Sequence, residues 1–209
     1  MADLRLAFKE LVERHGGTDD QAATLWSEVE SAYSAPGRHY HDLSHIEDLH
    51  DQLQEYRDLL DDPDPVLLAT VYHDLIIHVT RSDNEQRSAD AMRRSLSVVA
   101  GMPQATVARA SAHILGTKTH ELSLDPDTNY FTDADLSILG SSRERYAKYA
   151  AQVRQEYGRF PDLLYKPGRR NVLRRFLGMA NIFKTDRYSQ RLELSAKENL
   201  QWELTVLVA

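Results

Sequence analysis

The sequence predicts an all-α protein. Apolar residues recur at three- and four-residue spacings along most of the chain, and each interruption falls at Gly, Pro or Asp-rich turn chemistry. Two capping boxes, Thr18 with Gln21 and Ser195 with Glu198, supply explicit helix starts.

The elements follow in order. Leu4, Leu6, Phe8, Leu11 and Val12 mark a first helix that HGG stops at 15–17. The Thr18 box opens a second, through Leu25, Trp26 and Val29 towards Ala35-Pro36-Gly37. Leu43, Ile46, Leu49, Leu53, Tyr56 and Leu60 form a 3.6-residue stripe that ends before DDPDP at 61–65. The apolar run from Val66 to Val79 would suit a buried strand by composition, but it is longer than most strands and sits among helices, which favours a fourth helix. Residues 84–100 and 103–115 read as two more, the latter with Pro at its first position. A polar loop over 116–129 precedes FTDADLSILG at 131–140, and helices follow at about 142–157, 168–184 and 195–206. Without a repeat or flexible linker, residues 1–209 read as one domain, with its informative core at about 38–140 and helices 141–209 packing on it.

The formal charge of −7, with mixed signs, provides no basic field for extended nucleic acid, although a local cationic pocket for a small anion remains compatible with it. The chain has no cysteine, which excludes disulfides, thiolate catalysis and cysteine-ligated zinc. MADLRLAFKELVERHGG is charged and amphipathic, and no run approaches the ~18 apolar residues of a membrane span, so a cytoplasmic protein is expected.

Eight of the nine histidines fall between His39 and His120. His41 and His45 are four apart and share a helix face if the helix has begun by His41. Either could be a ligand, or a core histidine bonded to a carbonyl. His73-Asp74 stands in the apolar run LLATVYHDLIIHV. Imidazole and carboxylate suit a divalent metal, which would offset the cost of burying the Asp; an Asp bonded to backbone or paired with an Arg is the competing account. Asp133 and Asp135 precede a short apolar turn, where one can cap a helix; Asp135, next to Leu136, is the better inward ligand.

In order, His45, His73-Asp74 and Asp135 resemble the HD superfamily of metal-dependent phosphohydrolases, whose His, His-Asp doublet and distal Asp converge on a metal inside a helical bundle. YHDLSHI at 40–46, ILGTKTH at 114–120 and ADL at 134–136 are similar to segments of the cyclic nucleotide phosphodiesterases of that superfamily. RHYHDLSHI, VYHDLIIHVTRSDNEQRSA, TKTH, FTDADLSILG and YKPGRRNVLRRFLGMANIFKT resemble uncharacterised bacterial proteins described as predicted HD-type phosphohydrolases. The likeness spans residues 38–185.

The resemblance implies an HD-domain-like helical bundle with His45, His73, Asp74 and Asp135 as metal ligands, and His113 and His120 as second-metal or supporting residues. It implies His41 as general acid and leaves His78, five residues after His73, outside the set. The expected cofactor is a divalent ion (Mn, Co, Ni, Zn, Fe or Mg), which lowers the pKa of water and stabilises phosphoryl charge. Asp74 would also orient the attacking water, while Glu85 is either a second base or a first-turn Glu favoured by the helix dipole. Arg38, Lys118 and Arg169 are candidate phosphate-binding cations, and Tyr40 and Tyr130 could stack on a base or sugar. The expected function is hydrolysis of a small phosphate ester, such as a nucleotide, with a homodimer as the default assembly. A di-iron oxygenase using His113 or His120 and a non-catalytic nucleotide-binding protein are the alternatives.

Overall fold

The computed structural model describes residues 2–208, and among them it contains ten α-helices and no strand. The all-α expectation therefore holds. The chain divides into two compact units, Met1–Thr132 and Asp133–Ala209. The division falls inside a helix.

The first unit contains α1 (Ala2–Arg14), α2 (Asp19–Tyr33), α3 (Leu43–Gln54), α4 (Pro63–Tyr72), α5 (Asn84–Leu96) and α6 (Gln104–Gly116). It also holds the first seven residues of α7 (Pro126–Asp135). The Thr18 capping box forms as expected: the Thr18 hydroxyl accepts from the Gln21 N–H at 3.2 Å and the Gln21 side chain accepts from the Thr18 N–H at 2.8 Å. Gly16 turns the chain between α1 and α2 with φ +81°, a conformation strained for any residue with a Cβ.

Helix α4 organises this unit because its apolar residues are not confined to one stripe. Val66, Leu68, Ala69, Val71 and Tyr72 are all buried, and α1, α3, α5 and α6 all pack against it. Phe8 of α1 meets Trp26 of α2 at 5.8 Å and Tyr72 at 6.1 Å between ring centroids. Burying each such side chain contributes about 1.5–3 kcal/mol relative to leaving it in water.

The fourth helix is shorter than its apolar run suggests. α4 stops at Tyr72, and residues 73–83 form turns. The Arg38 guanidinium takes the carbonyl oxygens of Asp74 and Leu75 at 2.7 and 2.8 Å, acceptors that a continuing helix would need. His73-Asp74 thus stands at a helix end rather than mid-helix. The expected loop over 116–129 is also shorter, because Pro126 opens α7; the Asp127 carboxylate accepts the Asp61 and Asp62 N–H groups at 2.8 and 2.9 Å and ties that start to the turn before α4.

The second unit contains the end of α7, a 3-10 turn at Leu136–Gly140, α8 (Arg143–Glu156), α9 (Asp162–Leu177) and α10 (Asp186–Val208). Gly140 is required where this turn meets α10, since a Cβ there would lie 2.5 Å from that of Leu192. The helix expected at 168–184 begins and ends earlier, at 162–177. The helix expected at 195–206 starts at Asp186, so Ser195 and Glu198 are interior and form no cap. Its buried stripe is Tyr188, Ala196, Asn199, Leu200 and Glu203, and the two polar members hide it from an apolar pattern.

Candidate metal centre

The site grows from the two ends that Arg38 joins. Besides the carbonyls of Asp74 and Leu75, its guanidinium donates to the His41 carbonyl at 2.9 Å and lies 4.9 Å over the Tyr33 ring. Asp42 caps α3, its carboxylate accepting from the Ser44 N–H at 2.9 Å, so α3 begins at Leu43. His41 therefore lies ahead of the helix and His45 in its first turn.

His45 and His73 are buried, and their Nε2 atoms stand 3.1 Å apart. Asp74 Oδ2 is 3.2 Å from His73 Nε2, 3.8 Å from His45 Nε2 and 3.9 Å from His41 Nε2. His73 Nδ1 faces the Thr70 carbonyl at 3.2 Å. A carbonyl only accepts, so Nδ1 carries the hydrogen and a neutral His73 turns the lone pair of Nε2 towards His45 and Asp74. Two imidazole nitrogens and a carboxylate oxygen thus converge with too few protons between them. Burial raises the Asp74 pKa, but the positive character of His73, then of His41 and His45, outweighs it and holds the carboxyl well below its ordinary range.

This arrangement fits a cation. Two ligand atoms on one ion at ~2.0–2.2 Å lie about 3.0–3.4 Å apart, which is the separation of the two Nε2 atoms. The Thr70 carbonyl on Nδ1 also supplies the outer hydrogen bond that fixes the tautomer of a ligating histidine. His45 and His73 belong to a group of side chains that could hold a metal ion.

The other expected residues fall around or away from this cluster. His41 is partly exposed, and the Tyr40 ring packs against both His41 and His45, each at 4.9 Å. Tyr40 thereby orients two imidazoles. Glu85 occupies the first turn of α5, where both readings of it stand. Lys118 is exposed, and its Nζ donates to the Ser82 carbonyl at 2.8 Å. Tyr130 packs on Tyr56 at 6.2 Å. His78 is exposed and bonds at Nδ1 to the Thr80 hydroxyl, 2.9 Å away, apart from the cluster as its spacing predicts.

Arg38 and Arg169 depart from their expected phosphate-binding role. Arg38 engages three backbone carbonyls. Arg169, 8% exposed, forks onto Glu203 at 2.7 and 3.0 Å in the second unit. Glu203 also accepts from the Tyr146 hydroxyl, and the four-group network with Tyr149 is interior. A turn motif in the sequence looked like anion chemistry because burial is not visible there.

His113 is fully buried, with Nδ1 2.7 Å from the Thr128 hydroxyl; Phe131 packs on both His113 and His73, at 6.2 and 5.8 Å. Burial drives the His113 pKa down to about 4. His120, half-buried, has a left-handed φ of +53° just beyond α6.

Asp133 and Asp135 close α7 and stand directly ahead of the 3-10 turn Leu136–Gly140. The Asp133 carboxylate is fully buried and accepts from the Lys184 and Thr185 N–H groups and the Thr185 hydroxyl at 2.7–3.0 Å. Asp135 is half-buried.

No protein-family model, curated protein or solved structure matches the chain. No helix among the described residues is long and apolar enough to cross a membrane.

Proposed function

We propose that the protein is a metal-dependent phosphohydrolase acting on a nucleotide or other small phosphate ester, with His45, His73, Asp74 and Asp135 holding a divalent ion. The observation that carries this reading is the convergence of the two Nε2 atoms and Asp74 Oδ2 with His73 Nδ1 committed to a carbonyl. The likeness of the ordered His, His-Asp and Asp set to the HD superfamily supplies the reaction class. Asp135 enters the set through that likeness, as the counterpart of the superfamily's distal Asp. Asp133, saturated by its own partners, does not compete for the role.

When bound, the ion lowers the pKa of water and withdraws charge from phosphoryl oxygens. The chain's own groups do the rest. Asp74 accepts a hydrogen bond from the attacking water and takes its proton. His41, partly exposed and 3.9 Å from Asp74, gives a proton to the departing oxygen. Tyr40 holds both imidazoles in orientation. With Arg38 and Arg169 engaged internally, the phosphate is recognised chiefly by the ion, with Lys118 as the exposed cation of the TKTH segment.

The test is metal analysis of protein purified without a chelating tag, followed by a screen of nucleotides and phosphate monoesters with added manganese, cobalt or nickel. Bound metal that disappears in His73→Ala, together with hydrolysis that His41→Ala slows while metal is retained, is the expected result. Absence of metal binding in the wild type, or equal binding in His73→Ala, rules the reading out.

A further inference from the structure

Helix α3 carries two buried histidines, His45 and His50, five residues apart and so about 140° apart around its axis. His45 belongs to the metal centre. His50, 4% exposed, has no hydrogen-bond or ion-pair partner among the described residues. An imidazole taken out of water without a partner is destabilising, and a leucine in its place would carry no such cost.

His50 lines a cavity of about 260 Å³ between α1, α3 and α4, wholly within the first unit. The buried members of its lining are His50, Leu53, Val66 and Thr70. The Thr70 hydroxyl donates to the Val66 carbonyl at 2.9 Å, so the imidazole is the uncommitted polar group among them. Around the mouth stand exposed Asp3, Glu10 and Arg57 and the Arg14–Asp64 ion pair at 2.6 Å, which surround it with both signs of charge.

These features define what fits. Burial lowers the His50 pKa, with Arg57 in the same direction and Asp3 and Asp51 opposing, so the ring is neutral near pH 7 and offers one donor and one acceptor. Neither the floor nor the mouth selects an ion. An apolar cavity of about 150 Å³ holds benzene, and the larger volume here takes a substituted ring.

We propose that this cavity is a binding site for a small uncharged ring compound bearing a hydroxyl, a phenol in its simplest form. The hydroxyl bonds to the His50 imidazole, and the ring packs against Leu53 and Val66. The site is separate from the metal centre and does not depend on the phosphohydrolase reading.

The test titrates the full chain with para-cresol and with toluene, the same ring without the hydroxyl, by calorimetry and by NMR of the His50 ring. Para-cresol should bind saturably and shift the His50 signals. Its preference over toluene should fall about 10-fold in His50→Leu, the effect of losing one hydrogen bond. The melting temperature of His50→Leu should hold or rise, because an unpartnered imidazole is gone. Ala7→Phe, which puts a ring into the cavity from α1, should abolish binding of both compounds. Absence of saturable para-cresol binding in the wild type overturns the site, as does wild-type binding in Ala7→Phe. An unchanged preference in His50→Leu overturns the role of the imidazole; where that variant does not fold, His50 signals that stay fixed at saturation do the same.

Discussion

The Nε2 atoms of His45 and His73 face each other at 3.1 Å, and the Thr70 carbonyl claims the one ring hydrogen that a neutral His73 owns. The pair is therefore poised for a shared positive charge, whether a proton or a metal ion. Replacing His73 by Gln keeps a polar side chain of similar reach but removes the imidazole lone pair. Affinity for manganese or cobalt, measured by calorimetry, should fall by more than about 100-fold, beyond the range seen when only an outer partner is lost.

Arg38 predicts a stability effect rather than a substrate effect. Its guanidinium bridges His41, Asp74 and Leu75 through their carbonyls, so Arg38→Ala strands acceptors at both ends of the site. Urea unfolding should show a loss of about 3 kcal/mol, allowing for incomplete additivity of charged hydrogen bonds. Arg38→Lys should recover less than half, because an ammonium cannot reproduce the fork.

His113 predicts a pH dependence. Its pKa of about 4 in the folded state lies below the ordinary 6.5, so the unfolded chain binds this proton more readily. The stabilisation is complete above pH ~6.5 and is lost as pH falls towards 4, amounting to about 3 kcal/mol. His113→Leu should flatten this part of the stability profile while leaving the loss at lower pH from carboxylates. An equally steep decline between pH 6.5 and 4 in that variant would contradict the assignment.

Arg169 and Glu203 predict an asymmetry between single and double replacements. Glu203→Ala leaves a guanidinium buried without its carboxylate and should cost about 3–5 kcal/mol in chemical unfolding. Arg169→Met with Glu203→Leu should be close to neutral, because neither charge is then left alone.

Much of this protein was legible from residue order. Helical periodicity and turn chemistry specified the all-α class, the Thr18 cap and the stop at HGG, because helix formation is governed by contacts within four residues; the third helix, expected to run up to DDPDP, ends earlier, at Gln54. The spacing of His73 and His78 separated one from the other, since five helical residues do not return to the same face and, as it turns out, the helix has ended before either is reached.

Tertiary structure decided the rest through groups distant in sequence. The end of α4 depends on a guanidinium 36 residues away from Asp74, and no local pattern announces it. Asp133 and Asp135 look interchangeable in FTDADLSILG; partners 51 and 52 residues on occupy the Asp133 carboxylate. Arg169 reads as an anion-binding residue until Glu203 is found beside it. Local periodicity can say that a side chain points inward, whereas hydrogen-bond partners are chosen by chain folding, and partners are what separate a ligand from a brace.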